Sequence, residues 1–279
     1  MVTISDQRKA AQLLVAEGLS ERRSARLLNL HRSMLRYQSR KVRDEVLERR
    51  LRELAELYPV YGYRRMHQVL LREGMVINKK KVQRLWRELG FLRSQKSSPR
   101  KIRSGATLPE AATRPNEVWS YDFIFDRTVR GETLKFLVLI DEFTRECLSL
   151  TVKPNFRSAD VQEVLRSVIQ TRGAPDFLRS DNGSEFIASE LRIFLGLLGV
   201  GTKYIEPGKP WQNGKTESFN ARFREECLNR EVFHTVWEAS VITGRFRDHY
   251  NQIRLHSGLG YLPPAEFRAK WDASRVEIS

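Results

Sequence analysis

Two spacings of apolar residues divide the chain. Up to about residue 90 they recur every three or four positions, as on one face of a helix; from Glu117 they alternate or run together, as in strands. The first part reads as two helical units. Helices are expected over 6–16, 21–28 and 32–38, broken at Gly18 and at Asn29-Leu30-His31, with Ser20 capping the second. Leu13, Leu14, Leu27, Leu30 and Leu35 would form a small core, leaving Arg22, Arg23, Arg26, Arg32 and Arg36 outside. The second unit opens with a helix over 44–57 that stops at Tyr58-Pro59. Tyr61-Gly62-Tyr63 turns into a helix over 64–73. Asn78 then caps a last helix, which Gly90 closes. In that helix Val82, Leu85, Trp86 and Leu89 make a buried stripe, and Lys80, Gln83, Arg84 and Arg87 face out.

Residues 93–116 are rich in Ser, Pro, Gly and basic residues without an apolar period, so they read as a basic linker, either a plain tether or a track for a phosphate backbone. From Glu117 three strand-like runs, VWSYDFIFD, TLKFLVLID and ECLSLTV, follow one another with short turns, an antiparallel meander. A helix over 158–172, a short strand over 177–180, a helix over 189–198, a strand over 201–205 and helices over 212–229 and 236–251 complete the pattern. The order βββαβαβα is that of a ribonuclease H-like domain. The expected fold class is therefore α/β, a ribonuclease H-like domain preceded by small all-α helix-turn-helix-like domains. The boundaries are 1–40, 41–92, linker 93–116 and core 117–279.

Charge sharpens this division. The net charge is +15, but residues 1–114 hold 27 Lys and Arg against 11 Asp and Glu, a net of +16, whereas residues 115–279 are almost neutral. A basic half built of helical hairpins is the electrostatic footprint of a nucleic-acid-binding module, though a merely soluble basic surface has the same composition. The last helix of each unit would enter a major groove if the units are helix-turn-helix domains, which makes Arg32, Arg36, Lys80, Arg84 and Arg87 candidate DNA contacts. The two cysteines, Cys147 and Cys227, stand far apart and in no metal-ligand spacing, so they read as buried or idle thiols of a reducing compartment. No apolar run approaches a membrane span and the start lacks the apolar region of a signal peptide, which points to a cytosolic protein.

Three carboxylates remain. Asp122 lies within the first strand-like run, Asp181 directly follows the fourth, and Glu217 lies 35 intervening residues later in the first turns of a helix. Phe219, Phe223 and Cys227 form that helix's apolar stripe, and Glu217 is about 200° round from Phe219, so it faces away from the core. Each acid has an ordinary explanation: a strand aspartate open to solvent, a Ser-Asp-Asn-Gly turn, a favourable acid near a helix N-terminus. Jointly, two at strands and one on a helix, they suit a pair of divalent cations working on a phosphodiester.

The motifs Trp119-Ser120-Tyr121-Asp122-Phe123, Ser180-Asp181-Asn182-Gly183-Ser184-Glu185-Phe186 and Trp211-Gln212-Asn213-Gly214 leading to Glu217-Ser218-Phe219-Asn220 resemble those of bacterial insertion-sequence transposases with an integrase-type core. More narrowly, the chain is similar to the second-frame product of the two-frame insertion-sequence family. Tyr250-Asn251 to His256-Ser257 and Pro264-Ala265-Glu266-Phe267 extend the likeness. The resemblance implies a transposase that cleaves element ends and transfers strands, with Asp122, Asp181 and Glu217 as catalytic metal ligands for two Mg²⁺ ions, Mn²⁺ able to substitute. Asn182, Gly183, Asn213, Gly214 and Asn220 would shape the site, and Lys209 and Lys215 would touch DNA. It also implies double-stranded element ends and target as partners, a homo-oligomer on DNA, the upstream-frame product as a further partner, and a cytoplasmic, nucleoid-associated bacterial protein. Lys215-Thr216 departs from the aromatic or aliphatic pair expected before the glutamate, and Leu255 replaces a usual proline. Two readings compete: a ribonuclease H-like nuclease without strand transfer, and a DNA-binding regulator with an inert core.

Overall fold

The structure is a computed structural model and describes residues 4–36, 44–92, 111–180, 189–204 and 213–276. It divides into two compact units, Met1–Arg50 and Leu51–Ser279. In the first, helices α1 (Ile4–Ala16), α2 (Glu21–Leu27) and α3 (Arg32–Arg36) follow the expected breaks. Ser20 caps α2, its side chain accepting from the Arg23 amide at 3.4 Å. The small core differs from expectation. It is built on Ala11, Ala25 and Leu35 with Leu28 and Leu30 against them, while Leu13 and Leu27 are 67% and 63% exposed. The reason is angular: Leu13 and Leu27 each lie two residues, about 200° of helix, from the alanine that faces inward.

Helix α4 (Glu45–Leu57) buries Leu51 and Leu54, which belong to the second unit. There α5 (Tyr63–Arg72) packs on α6 (Lys79–Glu88). Asn78 caps α6 through a 2.8 Å bond from the Lys80 amide, and Gly90 ends the helix at φ +78°, a conformation that favours glycine. Val82, Leu85 and Trp86 are buried as the stripe requires, and Leu89 is half-buried.

The sheet holds β1 (Val118–Arg127), β2 (Thr133–Asp141), β3 (Cys147–Lys153), β4 (Phe177–Ser180) and β5 (Gly201–Tyr204) in the order β3-β2-β1-β4-β5. The first three strands are an antiparallel meander; β4 joins β1, and β5 joins β4, in parallel. Helices α7 (Ser158–Arg172) and α8 (Ser189–Leu197) cover one face, packing Val161, Leu165, Leu191 and Leu195 on Trp119, Tyr121, Leu137 and Leu139. Helices α9 (Gly214–Glu226) and α10 (Val236–Gln252) cover the other, where Phe219, Phe223, Phe246 and Tyr250 meet Ile124, Phe136, Val138 and Ile140. Helix α11 (Pro264–Val276) follows. This is the expected βββαβαβα order on a ribonuclease H-like sheet. The edge of β3 is closed by Asn251, whose side chain accepts from the Cys147 amide at 2.8 Å and donates to its carbonyl at 2.9 Å.

Candidate active site

Strand alternation sets the first acid. Trp119, Tyr121 and Phe123 point to the α7 side, so Ser120, Asp122 and Ile124 point to α9. The solvent-facing alternative for Asp122 is not realised: it is half-buried, and α9 lies over it. Two hydrogen bonds fasten helix to strand. Thr216 donates from Oγ1 to Ser120 Oγ at 2.7 Å, with both residues buried, and Asn220 Nδ2 donates to Asp122 Oδ2 at 2.7 Å. The other carboxylate oxygen of Asp122 accepts from the Phe123 amide at 2.8 Å.

Glu217 sits between Thr216 and Asn220 on α9. It is exposed, whereas Phe219, Phe223 and Cys227 are buried, as the helical stripe predicts. Asn213 is buried just before the helix, Gly214 is its first residue, and Lys215 is exposed on its first turn. The Lys215 ammonium is depressed by the protein packed around it and by the Arg145 guanidinium. Oδ1 of Asn220 and of Asn213 are buried without a partner among the described residues. Asp181, Asn182, Gly183 and Lys209 lie outside the described residues. The strand that leads to Asp181 pairs with the strand of Asp122, Ser120 standing opposite Arg179.

Sequence reading missed the polar layer beneath this face. Arg179 Nη1 donates to both oxygens of Glu142 at 2.7 Å, with 7% and 3% of the two side chains exposed. Burial pushes the Glu142 carboxyl up, against the pull of Arg179. The pair anchors the end of β4 to the turn after β2. No local pattern marks two ordinary charges 37 residues apart. Ser120 had a signal, since it shares the face of Asp122 by alternation.

Among the DNA candidates, Arg32 is exposed, and Arg36 is held by Glu21 at 2.8 Å. With Arg22, Arg26 and His31 they line a concavity of about 930 Å³. Lys80, Arg84 and Arg87 are exposed on α6. Among the described residues no group of three or more His, Cys, Asp or Glu is placed to hold a metal ion, and none of the helices is long and apolar enough to cross a membrane. Cys147 and Cys227 are buried and their thiols pushed up by burial, that of Cys227 to about 12.

By family likeness this is an integrase-core protein. The integrase core domain family matches residues 112–210, a second integrase core domain family matches residues 198–264, and an HTH-like domain matches residues 41–99. The chain is 40% identical over 261 residues to the 31.7 kDa protein of insertion element IS407 of Burkholderia multivorans, covering 92% of this chain and 93% of that one. It is 29% identical over 283 residues to transposase InsD of insertion element IS2 of Escherichia coli, covering 92% and 94%. The solved HTLV-2 integrase catalytic core domain in complex with magnesium aligns at 17% identity and a TM-score of 0.42, over 55% of this chain and 97% of that one. The chain belongs to the family of bacterial insertion-sequence transposases with an integrase core, and its function is DNA transposition.

Proposed function

We propose that this transposase cuts and rejoins phosphodiesters at element ends with Asp122, Asp181 and Glu217 as its catalytic carboxylates. One observation carries the reading: the Asn220–Asp122 bond, which sets the strand acid beneath the helix that bears Glu217. The donors fit a hard cation. Asp122 and Glu217 offer carboxylate oxygens, and Asn220 adds an Oδ1 that is buried without a partner among the described residues. Asp122, Asp181 and Glu217 would hold two Mg²⁺ ions, with Mn²⁺ able to substitute, and the bound pair supplies the electrostatic clamp on attacking and leaving oxygens.

The chain's own residues then bind and orient. Asn220 fixes the Asp122 carboxylate by hydrogen bonding. Glu217, clear of the apolar stripe, reaches toward solvent and DNA. Lys215 and Lys209 neutralise phosphates beside the cut. Asn182, Gly183, Asn213 and Gly214 would shape the site around it. Water displaces one phosphodiester oxygen and frees a 3′-OH; that hydroxyl attacks a second phosphodiester, whose displaced oxygen leaves as a new hydroxyl. Arg32, Arg36, Lys80, Arg84 and Arg87 would grip double-stranded ends and target from domains over 1–40 and 41–92, with residues 93–116 as the link to the core over 117–279. The enzyme would act as a homo-oligomer on DNA in the bacterial cytoplasm, at the nucleoid, with the upstream-frame product as a further partner. The test is Mg²⁺-dependent cutting of labelled element ends by Asp122→Asn and by Asp181→Asn. Loss of cutting with DNA binding kept supports the assignment, and retained cutting in either overturns it.

A further inference from the structure

Helix α9 ends on a buried acid, Glu226, nine residues after Glu217. Its side chain is 6% exposed and takes a two-pronged bond from Arg254: Nε to Oε2 at 2.7 Å and Nη2 to Oε1 at 2.6 Å. Arg254 is itself 1% exposed. It lies in the stretch from Tyr250 to Ser257 singled out in the sequence, to which the chemistry above gives no part. Its remaining Nη1 meets His256 Nε2 at 3.2 Å. Burial first, then Arg254, pushes the His256 imidazole down to about 3, so the ring is neutral and its Nε2 accepts from the guanidinium.

A second arginine reaches the same carboxylate from the helical segment. Arg65 of α5 has Nη1 at 3.6 Å from Glu226 Oε1, and its guanidinium lies 4.9 Å over the Tyr61 ring. Tyr61 stacks on Tyr58 at 4.8 Å, and Tyr58 faces His249 of α10 at 6.0 Å. Two turns along the same face of α5, Arg72 bonds Glu266 of α11 at 2.6 Å. Arg65 and Arg72 thus make a polar docking face on α5, with the buried Tyr61 just before the helix under Arg65, while Met66 and Leu70 of the same helix are fully buried. An ionic contact of this kind demands a defined geometry in a way that a greasy one does not.

We infer that Glu226 is a positioning residue: by holding Arg254 and Arg65 together it keys the docking face of α5 to the helix that carries Glu217, so that placement of the helix-turn-helix-like segment sets the placement of the catalytic helix. This rests on the assignment of Glu217 above. Arg65 is the position to test, because its side chain is 20% exposed and methionine keeps its stem, whereas Glu226→Gln leaves Arg254 buried with half a partner and threatens folding.

The experiment compares full-length wild type, Arg65→Met, Arg65→Lys and Glu217→Gln in single-turnover Mg²⁺-dependent cleavage of element-end DNA at saturating enzyme, with DNA affinity and thermal unfolding measured beside it. Arg65→Met is expected to bind DNA within about twofold of wild type, unfold at a similar temperature, and cleave about 10- to 100-fold more slowly, in line with the cost of a small misplacement far from the reacting atoms. Arg65→Lys should recover part of that rate. A full rate for Arg65→Met at saturation, or a loss that follows its unfolding temperature alone, overturns the inference. Cleavage by Glu217→Gln would overturn the catalytic assignment instead. An inactive Glu217→Gln beside a full-rate Arg65→Met overturns the positioning role alone.

Discussion

Asn220 donates a 2.7 Å hydrogen bond to Asp122, joining residue 220 on a helix to residue 122 on the central strand of the sheet. The bond fixes which way the strand carboxylate points and ties its position to the helix that bears Glu217. Partners of this kind around ligand carboxylates are worth about 10- to 100-fold in activity. Asn220→Ala should therefore cleave element ends about 10- to 100-fold more slowly with its fold intact by circular dichroism. Asn220→Asp should lose more, since it places a second negative charge against the first. Wild-type rates in Asn220→Ala would show that the bond has no part in the chemistry.

Thr216 and Ser120 make the neighbouring link, hydroxyl to hydroxyl at 2.7 Å, in a place fully closed to water. Thr216→Val removes one partner and leaves the Ser120 hydroxyl buried with a bond lost. A buried polar group left short costs about 1–3 kcal/mol. Denaturant unfolding should show a loss of that size, and adding Ser120→Ala should cost less than the sum of the two changes. Strict additivity would mean the hydroxyls do not interact.

Much of this architecture is legible from the chain itself. The alternation around Asp122 and the helical stripe Phe219, Phe223, Cys227 place one acid on a strand and orient the other, because both signals are local and follow from backbone geometry. Asn78 and Gly90 announce the ends of α6 for the same reason. Leu13 and Leu27 mislead, because an apolar residue on a short helix does not say which flank the next helix will cover, and the alanines won by allowing close approach. Arg179–Glu142 and Arg254–Glu226 are invisible for a different reason: they join ordinary charges far apart in sequence, and only the folded chain brings them together.

Gly201 opens β5 beside the ring of Phe177. A Cβ built there would stand 2.7 Å from Phe177 Cδ1, closer than packed carbons approach. Gly201→Ala should destabilise the protein by about 1–3 kcal/mol, as overpacking does. The same change in a Phe177→Ala background should cost far less. Equal costs in both backgrounds, read by chemical denaturation, would place the strain elsewhere.

The buried imidazole of His256 makes stability depend on acidity. Its folded value is pushed down to about 3 by burial and by Arg254, Arg65, Arg145 and Arg222, against an ordinary value near 6.5. Between those values the unfolded chain binds a proton that the folded one refuses. The stabilising effect is therefore complete above about pH 6.5 and is lost as the pH falls towards 3, at about 1.4 kcal/mol per pH unit. Replacing it by His256→Asn should flatten the acid limb of an unfolding-midpoint profile by that slope. An unchanged limb would mean the ring titrates freely in the folded protein.

The central claim is that Glu217 belongs to the site that joins DNA strands. Labelled element-end DNA and Mg²⁺ are incubated with wild type and with Glu217→Gln, and cut and joined products are resolved on a denaturing gel. The account predicts cleaved and joined products from wild type and neither from Glu217→Gln, with DNA binding equal in both. Joined products from Glu217→Gln would contradict it. Nicked but never joined DNA from wild type would leave a nuclease, and binding without cutting would leave a regulator.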